Sequence, residues 1–165
     1  MPSPRANSGA PRATRIRGDR PKEPTRRPSP RPRVPVADPA RPREVIDHGL
    51  AKRAVLEAMR TGGPFVSDLR EEYLQADPYL LRAAKHHGEE TERPCPVCAK
   101  SHLRHVTYVF GDDLGEFSGR VKSSREVTEM AFEYGEFRVY VVEVCSDCGW
   151  NHVHISYTLG DGRAA

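Results

Sequence analysis

The chain of 165 residues is 37% hydrophobic, 30% charged and 7% aromatic, which fits one domain joined to a segment too polar to share its core. Its most apolar stretch, Val139–Val144, falls far short of the roughly 20 residues a membrane helix needs, and no basic leader runs into an apolar segment. A membrane span is excluded, secretion is not expected, and the chain is assigned to the cytoplasm.

The formal charge of +3 conceals a split. Residues 1–43 carry 12 Lys and Arg against three acids, a net of +9; residues 44–165 carry 14 against 20, a net of −6. The first segment also holds 11 of the 15 prolines and no aromatic residue. Burial there cannot offset the entropy of ordering, so residues 1–43 read as a disordered basic tail. Such a tail either solubilises the chain or contacts polyanions through its guanidinium groups, and composition leaves both open.

Beyond Pro42 the spacing predicts a helix over 44–60, with Ile46, Leu50, Ala54 and Val55 on one face and Gly62-Gly63 at its end. Ser67 is a candidate cap for a second short helix carrying Leu69, Tyr73 and Leu74. Asp77-Pro78 supplies an N-cap and a first-turn proline for a third helix through Leu80, Leu81 and Ala84, stopped by Gly88. Residues 44–88 thus form a helical part. None of these helices is strongly basic, which argues against a DNA-reading helix-turn-helix.

The rest, 92–160, is the zinc-ribbon part, and from residue 95 onward the period becomes that of strands. Val106, Tyr108 and Phe110 alternate with polar residues in 104–110. Residues 137–144 are apolar on both faces except for Arg138 and Glu143, the pattern of a central strand. In 152–159, Val153, Ile155, Tyr157 and Leu159 fall on one face. Ser123-Ser124-Arg125-Glu126 is a capping box opening a helix with Val127, Met130, Ala131 and Tyr134 at the spacing of one face, and Gly111–Gly115 is a turn or loop. The expected fold class is α+β: short helices, then a zinc-ribbon-like antiparallel sheet with one inserted helix.

All four cysteines fall in two C-x-x-C pairs, Cys95/Cys98 and Cys145/Cys148, with 46 residues between them. Each pair sets two thiolates on one tight turn, and two such turns facing each other make the four-sulfur tetrahedron that zinc prefers. Gly149 after the last cysteine suits the positive φ of such a turn. Disulfides would need an oxidising compartment that no export signal indicates. A redox C-x-x-C opens a helix, whereas strands follow both pairs here. Zn2+ in a structural role is the expected cofactor, and iron in the same cage is not excluded.

His87-Gly88-Glu89 followed by Pro94-Cys95-x-x-Cys98 spells the signature of zinc deaminases. That chemistry needs a strand and other structure between the halves so that three ligands and the Glu converge, but only residues 90–93 separate them here, and the second pair would be left without a role. No catalytic residue is assigned. Glu89, Glu90 and Glu92 read as a solvated linker. All seven histidines lie in residues 44–165 and read as solvent-facing or supporting groups, and Trp150 as packing against the ribbon.

The runs Asp77-Pro78-Tyr79-Leu80-Leu81-Arg82-Ala83-Ala84-Lys85, Cys95-Pro96-Val97-Cys98, Tyr108-Val109-Phe110-Gly111 and Val142-Glu143-Val144-Cys145-Ser146-Asp147-Cys148-Gly149-Trp150-Asn151-His152 resemble an uncharacterised actinobacterial family, a domain of unknown function with paired C-x-x-C motifs that is also present in mycobacteria. The resemblance spans about residues 44–160 in motif order. It implies a bacterial, intracellular setting and the two metal-binding turns, and supplies no catalytic residues.

Four thiolates leave zinc no open position for chemistry. The expected function is therefore that of a non-enzymatic interaction module. A protein partner, one with a basic surface matching the acidic domain, comes first. Nucleic acid bound through residues 1–43, with the ribbon as docking platform, is the alternative.

Overall fold

The computed structural model describes residues 37–162, so the disordered tail expected over 1–43 lies outside the described residues as far as residue 36. The described part is an α+β fold. In chain order come strand β1 (Arg43–Asp47), helices α1 (Gly49–Thr61), α2 (Val66–Leu74) and α3 (Pro78–His87), and strands β2 (Glu89–Pro94) and β3 (His102–Phe110). A 3-10 helix (Asp112–Phe117), strand β4 (Arg120–Val121), helix α4 (Ser124–Glu133) and strands β5 (Phe137–Val144) and β6 (Asn151–Leu159) complete it.

The strands form one antiparallel sheet in the order β1-β6-β5-β3-β2. The short β4 continues the β2 edge, pairing with Tyr108 and Val109 of β3 beyond the Glu89↔His105 pair at which β2 begins. Strand β5 is central, as its two-sided apolar pattern requires. Helices cover one face along its length and the opposite face only at the α3 end, because their apolar stripes need burial; Tyr108, Phe110, Tyr140, Val142 and Val153 line an open hollow on the remainder of that second face. On one face α4 sets Val127, Met130 and Ala131 on Val109, Phe137, Val139 and Leu159. Toward the other end of that face, Val55, Leu56 and Met59 of α1 and Tyr73 and Leu74 of α2 close over Leu103 and Trp150. On the opposite face α3 lays Ala84 against Val106 and Val144.

Local chemistry fixes several element ends. The Asp77 carboxylate accepts from Tyr79 N at 2.7 Å with Pro78 in the first turn, and the chain leaves α3 at Gly88. The capping box at α4 is complete: Ser123 Oγ accepts from Glu126 N, and Glu126 accepts from Ser123 N at 2.8 Å.

Four expectations are corrected. The helix foreseen over 44–60 begins only at Gly49, and Arg43–Asp47 is an edge strand whose β-branched Val45 and Ile46 are exposed beside β6. The face α1 buries is Val55, Leu56 and Met59, while Leu50 is 74% exposed. The foreseen tail gives up its end to the domain, since Pro39 O accepts from Gly160 N, Ala40 packs on the α4 core and Arg43 opens β1. Ser67 lies inside α2 and bonds to Asp68 rather than capping. The turn or loop expected at Gly111–Gly115 is present as a 3-10 turn that buries Leu114.

Two further corrections concern strands. The acidic stretch Glu89–Glu92 is not a linker but most of β2, held by pairing to β3. In β6 the apolar residues do not share one face. A bulge at His154 separates the pairs Val141↔Ile155 and Val142↔Val153, so Val153 turns to the opposite side from Ile155, Tyr157 and Leu159. Among described residues, no helix is long and apolar enough to cross a membrane.

Candidate metal centre

Each cysteine pair occupies the tip of a hairpin: Cys95/Cys98 between β2 and β3, and Cys145/Cys148 between β5 and β6. The two turns are built alike. Cys95 N donates to Ser101 O and Ala99 N to Cys95 O; Cys145 N donates to Trp150 O and Gly149 N to Cys145 O. The residue four past the first cysteine takes positive φ in both, 53° at Ala99 and 73° at Gly149. The pairing Arg104↔Val144 sets the start of β3 beside the end of β5, which places the turns side by side despite their distance in sequence.

The four sulfurs converge. Cys95 Sγ is 3.6 Å from Cys148 Sγ, Cys98 Sγ is 3.7 Å from Cys145 Sγ, and all four lie within 4.8 Å of one another. A tetrahedron with metal–sulfur bonds of about 2.3 Å has edges of about 3.8 Å, so the cage fits such an ion. The spacing is far beyond a sulfur–sulfur bond, and all four cysteines are free. The four residues could hold a metal ion, and the donor set suits zinc and iron alike.

The sulfurs do not ionise equally without a cation among them. Burial pushes the Cys95 and Cys148 thiols up. Burial also acts on Cys145, but the Ser101 hydroxyl, 3.3 Å from its sulfur, and the N–H groups of Cys148 and Asp147 outweigh it and bring that thiol down to about 7.

Beneath the second turn lies a polar group that sequence reasoning did not assemble. Glu143, fully buried on β5, accepts from Trp150 Nε1 at 3.0 Å and from Lys52 Nζ of α1 at 2.8 Å. Trp150, with no exposed surface, stacks on His152 at 5.9 Å and lies near the Tyr73 ring at 6.1 Å. The signal available in the sequence was Glu143 itself, since a carboxylate inside an apolar strand requires a partner. Nothing marked Lys52 as that partner. Trp150 packs as expected, and its burial leaves no ring face for a base.

The remaining histidines are dispersed. His102 is exposed, His105 stacks on His154 at 5.1 Å, and His48 meets Ser156 Oγ at 3.3 Å. Burial lowers the pKa of both His105 and His152. In the deaminase-like stretch, Glu89 stands outside the group of four cysteines and is engaged by the start of α4. Glu89 accepts from Ser124 N at 2.9 Å and Ser124 Oγ at 2.7 Å, bonds that hold its carboxyl below the usual range. It therefore caps α4 from a neighbouring strand.

An α+β domain whose two hairpin tips bring four cysteines together is what the fold and this centre define. The chain belongs to the family of unknown function DUF5318, whose model matches residues 40–165. It is 43% identical over 120 residues to an uncharacterised protein of Mycobacterium bovis and to one of Mycobacterium tuberculosis, covering 73% of this chain and 85% of each relative. No solved structure matches.

Proposed function

We propose that Cys95, Cys98, Cys145 and Cys148 hold one structural zinc ion and that the domain is a non-enzymatic interaction module of the bacterial cytoplasm whose partner is a protein. The carrying observation is the cage: four sulfurs at tetrahedral-edge spacing on two turns closed by their own backbone bonds. Zinc so held has no open position for substrate or water. Its contribution is to folding, on the order of 10 kcal/mol of apparent binding energy, comparable to the stability of a whole domain.

A second reading, nucleic-acid binding, is favoured by one feature of the domain itself. Arg82, Lys85, His102 and Arg104 line a cleft of about 710 Å3 beside Ser146 and Asp147 of the second turn; Glu90 lies 4.0 Å from Arg104 there, so Arg82 and Lys85 are the donors phosphates would find. The basic segment foreseen as a nucleic-acid arm lies outside the described residues up to residue 36.

Elemental analysis of the purified chain should give one zinc per molecule, and Cys145→Ser should lose metal and cooperative folding together. A fully folded, metal-free wild-type protein would sink the structural role. Capture from native cells with and without nuclease separates the partners: a set that survives digestion supports the protein reading, and one that vanishes supports the nucleic-acid reading.

A further inference from the structure

A groove of about 600 Å3 runs between α1, α2 and the first cysteine turn. Half-buried Leu56 and Met59 of α1 and Leu74 of α2 form its floor, and exposed Pro96 and Val97 form a wall. Its rim is basic: Arg53, Arg60 and Arg70 stand on it against one acid, Glu57, whose carboxylate is already engaged by Arg60 at 2.7 Å. Arg53 and Arg70 have no carboxylate partner among the described residues.

We propose that this groove docks an acidic, amphipathic segment of a partner protein, with apolar side chains on Leu56, Met59 and Val97 and carboxylates on Arg53 and Arg70. The proposal deepens the protein-partner reading and rests on it. An apolar floor between two helices rewards side chains at helical spacing. Unpaired guanidinium groups at its edge select carboxylates in bidentate geometry and repel a basic segment. A nucleic acid is a poorer occupant, because no aromatic residue lines the groove to stack a base. The net charge of −6 over residues 44–165 points to a basic partner; the local surface reverses that inference at this face. Pro96 and Val97 lie between Cys95 and Cys98, so the loop that holds two of the sulfurs also builds the wall.

The test uses the zinc-loaded full chain, labelled with 15N, and three probes. One is a 15-residue helical peptide with Leu at i, i+3, i+4 and i+7 and Glu elsewhere; the second replaces Glu by Lys; the third is a 15-nucleotide oligothymidine. The Glu/Leu peptide should shift backbone resonances of Leu56, Met59, Leu74 and Val97. Replacing both exposed arginines, Arg53→Glu with Arg70→Glu, should weaken that binding by about tenfold or more while leaving thermal unfolding and Trp150 emission unchanged. Equal binding of the Lys/Leu peptide, undiminished binding by the charge-reversed variant, or no shift in the groove would overturn the proposal. So would groove shifts produced by the oligonucleotide and not by the Glu/Leu peptide. Peptide shifts confined to other faces would overturn the groove yet leave the protein-partner reading standing, since that reading is decided separately by nuclease resistance of the native partners.

Discussion

Lys52 Nζ lies 2.6 Å from Oε1 of Glu143, a carboxylate with none of its side-chain surface exposed. The pair joins α1 to the central strand directly beneath the second cysteine turn, with Trp150 Nε1 on the same oxygen at 3.0 Å. A buried ion pair contributes little over a well-packed apolar pair, but an orphaned buried charge is costly. Lys52→Met should therefore destabilise the domain by about 3–5 kcal/mol. Adding Glu143→Gln removes the charge and keeps an acceptor for the indole, so the double variant should be more stable than Lys52→Met alone. Urea unfolding of the four proteins in the cycle measures this, and strictly additive losses would show that the two side chains do not depend on each other.

The paired turns predict an asymmetry between their positive-φ residues. Gly149 has φ 73°, and a Cβ there would sit 2.4 Å from Leu74 O at the end of α2. Backbone oxygen cannot yield as a side chain can, so Gly149→Ala should cost more than about 2 kcal/mol, conformational strain included. Ala99, at φ 53° in the equivalent place, already bears that strain. Ala99→Gly exchanges it for the greater unfolded-state entropy of glycine, and the two nearly cancel, leaving a change under about 1 kcal/mol. Thermal melts of both variants at fixed zinc decide it. Equal effects of the two substitutions would contradict the account.

What the sequence disclosed and what it withheld follow from the range of the interactions. Asp77-Pro78, Gly88 and the Ser123/Glu126 box act within one helical turn, and each stands where local chemistry puts it. The paired cysteines were equally legible, because spacing within each pair defines a turn. Strand β1 was misread because Glu44–Asp47 carries no strand alternation of its own and breaks register at Glu44, whose φ is 48°; it is a strand because β6 offers a ladder to Arg43, Ile46 and Asp47. Strand β2 was missed for the same reason, its acidic residues being strand only through pairing to β3. The bulge at His154 left no local mark, yet it reassigned Val153 to the other face. Lys52 and Glu143 are 91 positions apart, and only the fold makes them neighbours.

Trp150 would make loss of the proposed zinc directly observable. It is the chain's one tryptophan, is fully buried among Tyr73, His152 and the cysteine turns, and its carbonyl closes the second turn by accepting from Cys145 N. Removing the ion from the crowded sulfurs should release that turn and admit water to the indole. Chelator titration of the zinc-loaded protein should shift Trp150 emission to the red in step with metal release, and zinc added back should reverse it. Emission that stays unchanged after the metal has left would mean that packing by α1 and α2 alone holds the turn.

The start of α4 yields a pH prediction. Two carboxylates cap it: Glu126 from within, bonded to Ser123 N and Oγ, and Glu89 from β2, bonded to Ser124 N and Oγ. The Ser123 backbone N–H, its hydroxyl and Lys122 hold the Glu126 carboxyl down to about 2, and the Ser124 bonds lower Glu89 as well. A carboxyl depressed on folding adds stability above its unfolded value near 4.5 and loses it as pH falls toward the folded value. The Glu126 side chain is 49% exposed, and solvent screening limits its share to about 1 kcal/mol. Glu126→Gln should therefore be less stable than wild type by about that much at pH 7. The gap should narrow between pH 4.5 and about 2, as wild-type Glu126 takes up its proton. Glu89→Gln should narrow in the same direction and, being a cap and not part of the cage, should leave zinc content at one per chain. Unfolding free energies measured at stepped pH, with metal analysis of each sample, test both statements. Loss of zinc from Glu89→Gln at neutral pH would return that carboxylate to the neighbourhood of the metal and reopen the deaminase-like reading of its spacing to Cys95.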